Sequence, residues 1–327
     1  MAVKTLIEGV REALAEEMER DERVWVLGED VGRKGGVFLA TEGLYTKYGE
    51  GRVLDTPLAE SCIVGVAIGS ALNGLVPVAE IQFADFIHSA FDQIVSEAAR
   101  IRYRSNGDWS CPITIRTPYG GGVHGGLYHS QSIEAFYAHV PGLKVVTPCT
   151  PEDAKGLLKS AIRDPDPVLF LEHKKTYRLI RGEIPEGEFT TPLGSAAVRR
   201  EGAKLSVFAW GLMLHHCLEA AEQVAADGVS AEVVDLRTLR PLDTETILAS
   251  VRKTGKAMVV YEDNLTGGFG AEVAAIIAQE AFDHLDGPVM RVAAPDVPAM
   301  PFNKPQEDAF LPNPEKIAAA MRKLAAY

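Results

Sequence analysis

The sequence predicts an α/β protein whose parallel sheets carry helices on both faces. Short β-rich runs alternate with helical segments up to Glu172, and a second alternating set begins after residue 203. The length of 327 residues also exceeds one ordinary domain. The expected division is a first domain over 1–175, a crossing segment over 176–203 and a second domain over 204–327.

The opening "MAVKTLIEGVREALAEEMERD" places Val3, Leu6, Ile7, Val10 and Leu14 on one face among many acids, which predicts an amphipathic helix and neither a signal nor a transit peptide. The runs "RVWVLGED", "RVLDTP", "PVAEIQF", "CPITIRTP", "LKVVTPC" and "PVLFLEH" then read as strands. Between them "SCIVGVAIGSALNG", "FIHSAFDQIVSEAARIRYRS" and "TPEDAKGLLKSAIRD" read as helices, the last begun by Thr150 or a neighbour of it, with Pro151 in its first turn. The stretch "KKTYRLIRGEIPEGEFTTPLGSAAVRREGA" is charged, broken by Pro and Gly, and has no sustained period, so it reads as the crossing. In the second domain "KLSVFAWG", "SAEVVDLRT", "KAMVVYED" and "GPVMRVA" read as strands, with helices near 213–227, 243–253, 268–283 and 314–325. "APDVPAMPFNKPQEDAFLPNP" reads as a Pro-rich loop.

Composition narrows the function. A balance of 46% hydrophobic and 24% charged residues suits a folded core, and a formal charge of -12 argues against nucleic acid or an anionic membrane as partner. Cys62, Cys111, Cys149 and Cys217 form no CxxC pair, which points away from a disulfide framework or zinc knuckle and toward a reducing compartment. No apolar run is long enough to cross a bilayer. A bacterial-type cytoplasm is the expected location.

The loop "TPYGGGVHGGLYHSQS" holds Gly120, Gly122 and Gly125 at GxGxxG spacing. A dinucleotide fingerprint opens directly into a helix, whereas this loop runs on through Tyr128, His129 and Ser130. It reads instead as turned backbone that brings His124 and His129 to a cleft. His215, His216 and Cys217 are adjacent and diverge around a helix, which disfavours a shared metal ion. Glu60 opens a run rich in Gly and Ala, with Gly65 and Gly69 at a spacing that lets another backbone approach, as at a subunit interface. Two readings of Glu60 stand at this point: an acid favoured by the helix dipole, or a carboxyl of raised pKa that shares a proton with a ligand nitrogen.

Taken together, "LGEDVG", "DTPLAES", "EIQFADF", "RTPYGGGVHGGLYHSQSIEAF", "PGLKVVTPCTPEDAKGLLKSAIRDPDPVLFLEH" and "VVDLRTLRPLD" resemble the beta subunit of the thiamin-diphosphate-dependent 2-oxoacid dehydrogenase (decarboxylating) component, in order and over nearly the full length. The resemblance implies a transketolase-like pyrimidine-binding domain followed by a transketolase C-terminal-like domain. It implies that Glu60 hydrogen-bonds N1' of thiamin diphosphate and thereby promotes loss of the thiazolium C2 proton. It also carries Glu29, Leu58, Ala59, Gln82 and Phe86 to the cofactor, and Phe83, Ala84, Asp85, Phe86 and His129 to the substrate, with His129 in acid–base work during acyl transfer to a lipoyl group. Glu60 and His129 are thus the expected catalytic pair.

Thiamin diphosphate enzymes hold Mg²⁺ and the diphosphate through Gly-Asp-Gly followed by an Asn, and "SNGDWS" lacks the second glycine. The resemblance therefore implies an alpha subunit supplying that half, in an α2β2 heterotetramer that docks on a lipoyl acyltransferase core. It further implies a monovalent-cation site, K⁺ in type, at Ile113, Ala161, Ile162, Asp164 and Asp166. "LYHSQSIEAF" and "LEHKKTYRLIRGEIP" look more like branched-chain 2-oxoacid members than pyruvate members. The alternatives are a pyruvate dehydrogenase beta subunit and a catalytically silent assembly subunit.

Overall fold

The first helix shows how local chemistry sets the architecture. In a computed structural model describing residues 2–327, strand β1 (Ala2–Thr5) runs into helix α1 (Leu6–Arg20). Thr5 caps the helix: its Oγ1 accepts from Glu8 N at 3.4 Å, and Thr5 N donates to Glu8 Oε2 at 2.6 Å. Such a cap contributes about 1 kcal/mol. Leu6, Val10, Leu14 and Met18 then line one buried stripe, each contributing roughly 1.5–3 kcal/mol. Val3, expected on that stripe, instead lies exposed in β1, because the Thr5 cap starts the helix after it.

Two compact units result, one reaching Tyr119 and including Phe136–Leu193, the other Gly120–Ala135 with Gly194–Tyr327. In the first unit follow β2 (Val24–Gly28), α2 (Leu44–Tyr48), β3 (Val53–Asp55), α3 (Glu60–Leu72) and β4 (Val76–Glu80). After a helical stretch over 84–104, which ends in α4 (Ile101–Arg104), come β5 (Thr114–Tyr119), α5 (Glu134–Ala138), whose first two residues lie with the second unit, β6 (Lys144–Val146), α6 (Pro151–Ile162) and β7 (Val168–His173). The strands lie in the order β6-β7-β5-β4-β2-β3, every pair parallel. Thr150 caps α6 with Pro151 in the first turn, as the sequence predicts. Helix α6 approaches α1 so closely that a Cβ on Gly9 would sit 2.5 Å from Pro151 O.

The crossing is more ordered than its composition implies. It contains α7 (Thr176–Leu179) and β8 (Arg181–Ile184), and β8 pairs antiparallel with β1, so this part belongs to the first unit. The continuous helix expected from Phe86 to Ser105 is broken: 3₁₀ turns run over Ala84–Ala90, a π segment over Gln93–Glu97 and 3₁₀ turns over Ala98–Arg100.

In the second unit, β9 (Ala197–Arg200), β10 (Leu205–Ala209), α8 (Leu212–Ala225), β11 (Ala231–Asp235), β12 (Thr238–Arg240), α9 (Thr244–Thr254), β13 (Ala257–Asn264), α10 (Gly270–Glu280) and β14 (Met290–Ala294) follow in turn. Strands order as β14-β13-β10-β11-β9, parallel except for the antiparallel edge strand β9. The Pro-rich loop is not wholly irregular, because Asn303 caps α11 (Lys304–Phe310) before α12 (Pro314–Ala325). No helix among the described residues is long and apolar enough to cross a membrane.

Candidate functional site

Adjacent parallel strands deliver their carboxyl ends to one edge of the first unit, where α/β sheets bind ligands. Glu29 follows β2, the Leu58–Ala59–Glu60 run follows β3, and Gln82 to Phe86 follow β4, which lies beside β2. The structure thus gathers these sequence-predicted residues at one strand-end cluster.

Glu60 is the first residue of α3 and is half-buried. Its Oε2 accepts from Ser89 Oγ at 3.1 Å, while the same hydroxyl lies 3.0 Å from Phe86 O. Glu29 is 8% exposed, and its Oε1 is buried without a hydrogen-bond partner. Burial raises its pKa, and the charges of Glu60 and then Asp30 raise it further. Gln82 is oriented from behind: its Nε2 donates to Asp30 Oδ2 at 3.2 Å and to Glu29 O at 3.4 Å. Phe86 meets Phe83 edge to face at 6.2 Å, and Phe83 meets Phe38 at 5.6 Å, which fixes both rings. Leu58 is 78% exposed, Ala84 is buried, and Asp85 is half-buried.

The orphaned Glu29 oxygen, the adjoining Glu60 carboxylate, a positioned amide and an exposed aromatic edge form a donor set that fits an aminopyrimidine. A heterocycle of that kind offers ring nitrogens and an exocyclic amine to the carboxyls, and a flat face to Phe86.

Sequence reasoning did not find Ser89 or Asp30. Ser89 lies 29 positions from Glu60 in the chain and looks like any helix serine. Beneath the strand ends lies a second feature the sequence conceals. Arg116 Nε and Nη2 bond Glu172 at 2.6 and 2.8 Å, Arg116 Nη1 bonds Glu80 at 2.7 Å, and Tyr177 Oη donates to Glu172 at 2.6 Å. All four side chains are buried.

His129 belongs to the other unit. The Gly-rich segment, expected in the first domain, lies with the second unit because acids from β13 and α11 hold its backbone. Glu262 Oε1 accepts from Gly121 N at 2.5 Å and from Ser132 Oγ at 3.2 Å. Glu307 Oε1 accepts from Gly122 N at 2.8 Å and His124 N at 3.2 Å, and its Oε2 lies 2.6 Å from His124 Nδ1. The loop closes on itself through Gly120 N to Gln131 O at 2.9 Å. No helix begins until Glu134, so the GxGxxG spacing lacks its strand-turn-helix setting. His129 is half-buried in this loop and folds back on Gly125, where a Cβ would lie 2.6 Å from His129 O. His215 and His216 sit half-buried on α8, with His216 Nδ1 3.2 Å from Pro312 O, and Cys217 is buried.

The residues carried over as a cation site lie near the starts of β5 and β7 and the end of α6. Asp164 takes Lys144 Nζ on both oxygens, at 2.6 and 2.7 Å, and Asp166 takes Arg102 Nε at 2.5 Å. Ile113 O already accepts a backbone bond from Val168 N, and Ala161 O accepts from both Asp164 N and Arg163 N. Both carboxylates are thus neutralised by basic side chains, so the set fits a further cation only if Lys144 shares Asp164.

Comparisons with known proteins agree with this architecture. Residues 3–180 match the pyrimidine binding domain of transketolase, and 194–317 match the transketolase C-terminal domain. The chain is 59% identical to the 2-oxoisovalerate dehydrogenase subunit beta of Bacillus subtilis (strain 168), and 53% identical to the pyruvate dehydrogenase E1 component subunit beta of the same organism, with 100% of both chains covered in each case. Its fold is similar to a solved structure described as a split gene transketolase, inactive beta4 tetramer, with a TM-score of 0.80, 25% identity and 98% of each chain covered. The strand-end cluster and these likenesses lead to one conclusion: the chain belongs to the transketolase-like, thiamin-diphosphate-dependent family of 2-oxoacid dehydrogenase beta subunits.

Proposed function

We propose that this chain, joined to an alpha subunit, serves the oxidative decarboxylation of branched-chain 2-oxoacids and the reductive acylation of a lipoyl group on an acyltransferase. The observation that carries the reading is the buried, unpartnered Glu29 Oε1 beside Glu60 at the ends of β2 and β3. The preference for branched substrates rests on the 59% identity to a 2-oxoisovalerate dehydrogenase subunit beta. The 53% identity to a pyruvate dehydrogenase subunit supports pyruvate as the second reading.

Thiamin diphosphate, when bound, supplies the carbanion chemistry that side chains lack. The chain's residues act around it. Glu60 exchanges a proton with the pyrimidine N1' and Ser89 holds the Glu60 carboxylate in place. Glu29, kept toward its neutral form by burial, can donate where an ionised acid cannot. Gln82 bonds the pyrimidine edge, Phe86 lies against the ring, and Leu58 and Ala59 complete the wall. Phe83, Ala84 and Asp85 line the substrate side, and His129 moves a proton during acyl transfer, since an imidazole ring can present both a donor and an acceptor nitrogen.

The diphosphate and Mg²⁺ fall to the alpha subunit, because the chain lacks the Gly-Asp-Gly motif. The exposed face of α3 supports an α2β2 assembly: a Cβ on Gly65 or Gly69 would meet nothing within 4 Å, and Val66 is 46% exposed. That the similar solved structure is described as a tetramer supports a beta chain that assembles into a larger complex. The proposed location is the cytoplasm. Monovalent-cation binding at Asp164 and Asp166 is proposed with Lys144 sharing the site, and a KCl-specific rise in thermal stability over NaCl would support it.

Substrate choice is tested by kcat/KM for 3-methyl-2-oxobutanoate against pyruvate in the reconstituted complex. A ratio above 1 supports the branched-chain reading. A ratio below 1 favours pyruvate, and no turnover of either would favour a silent assembly subunit.

A further inference from the structure

The Gly-rich loop reaches His129 and returns without a helix or strand of its own, so its conformation must be imposed from outside. One atom makes contact near both ends. Glu262 Oε1, on a side chain from β13 that is only 4% exposed, accepts from Gly121 N and from Ser132 Oγ, the two residues just inside the Gly120 N to Gln131 O closure and just beyond it. A carboxylate suits this task better than a neutral acceptor, because charge-assisted bonds are shorter and about twice as strong. Glu307 from α11 fixes the middle of the loop at Gly122 and His124, but half-exposed His124 offers it a less enclosed setting.

We propose that Glu262 is the positioning residue for His129: by clamping Gly121 and Ser132 with a single oxygen, it sets the loop geometry that His129 needs for proton transfer during lipoyl acylation. The inference rests on the proposed role of His129.

The test uses the complete enzyme, reconstituted with its alpha subunit and saturated with thiamin diphosphate and lipoamide. Glu262→Ala should lower kcat for lipoamide acylation by about tenfold to 100-fold, the scale expected when a reacting group is misplaced by an ångström. The Kd for thiamin diphosphate should not change. Glu262→Gln, which keeps an acceptor oxygen, should recover part of the loss. Adding Glu262→Ala to His129→Ala should cost nothing more, because both remove one function. Should Glu262→Ala fail to fold, Ser132→Ala removes one clamp bond and should lower kcat several-fold, again with no further loss in the His129→Ala background. Wild-type kcat in Glu262→Ala or in Ser132→Ala, beside an impaired His129→Ala, overturns the proposal alone. Losses that multiply with His129→Ala also overturn it. A His129→Ala enzyme that acylates normally overturns the role of His129 and this inference with it.

Discussion

Ser89 donates its hydroxyl hydrogen to Glu60 Oε2 at 3.1 Å, tying the first residue of α3 to the 3₁₀ turns that follow Phe86. The bond restricts where the Glu60 carboxylate points without removing its charge. In Ser89→Ala that restraint is lost while both elements persist. A hydrogen bond to a charged carboxylate is worth about 1.5 kcal/mol or more, so hydrogen–deuterium exchange at the cofactor C2 should slow roughly tenfold in the complex, with thermal stability little altered.

Glu60→Gln probes the proton itself. Glutamine keeps the size and one acceptor but cannot take up a proton, so C2 exchange should fall by about 100-fold or more, the range typical of losing an acid–base group. Subunit assembly, followed by size-exclusion chromatography, should be unchanged.

The buried Arg116 network predicts a stability effect separate from chemistry. Arg116→Ala leaves Glu80 and Glu172 buried with no cation between them. Breaking such a pair costs about 3–5 kcal/mol, which urea unfolding would record as a large drop in midpoint.

A pH effect is expected in the second unit. Glu134 is wholly buried, its Oε1 accepts from Trp210 Nε1 at 3.0 Å, and its Oε2 has no partner. Burial first, and then the charge of Asp263, push its pKa from 4.5 to about 8. The folded state thus favours the protonated form. Its stabilising contribution is full below 4.5 and is lost as pH rises through about 8. Glu134→Gln, which cannot ionise, should leave the melting temperature near that of the native chain at pH 5 and raise it relative to the native chain at pH 9. Equal shifts at both pH values would contradict this account.

Much of the architecture was legible because local signals agreed with the tertiary structure. Thr150 and Pro151 marked the start of α6, and the strand runs marked the first-unit sheet. What escaped detection depends on distant partners. Strand β8 exists because β1 pairs with it across the whole first unit, and α11 because Asn303 caps a turn hidden among prolines. The Gly-rich loop was assigned to the first domain by its position after β5, yet Glu262 and Glu307, more than a hundred residues later, hold it in the second unit. At the proposed site, Glu29, Glu60, Gln82 and Phe86 are singled out by family likeness. Ser89 and Asp30 act only as neighbours, and no pattern in the chain announces such a role.

The central claim is that this chain holds the pyrimidine half of a cofactor site whose diphosphate half lies on another subunit. Calorimetric titration of thiamin diphosphate with Mg²⁺ into the chain alone, and again after mixing with its alpha subunit, tests it most directly. Negligible heat from the isolated chain and saturable tight binding by the mixture is the predicted outcome. Equally tight binding by the chain alone would contradict it.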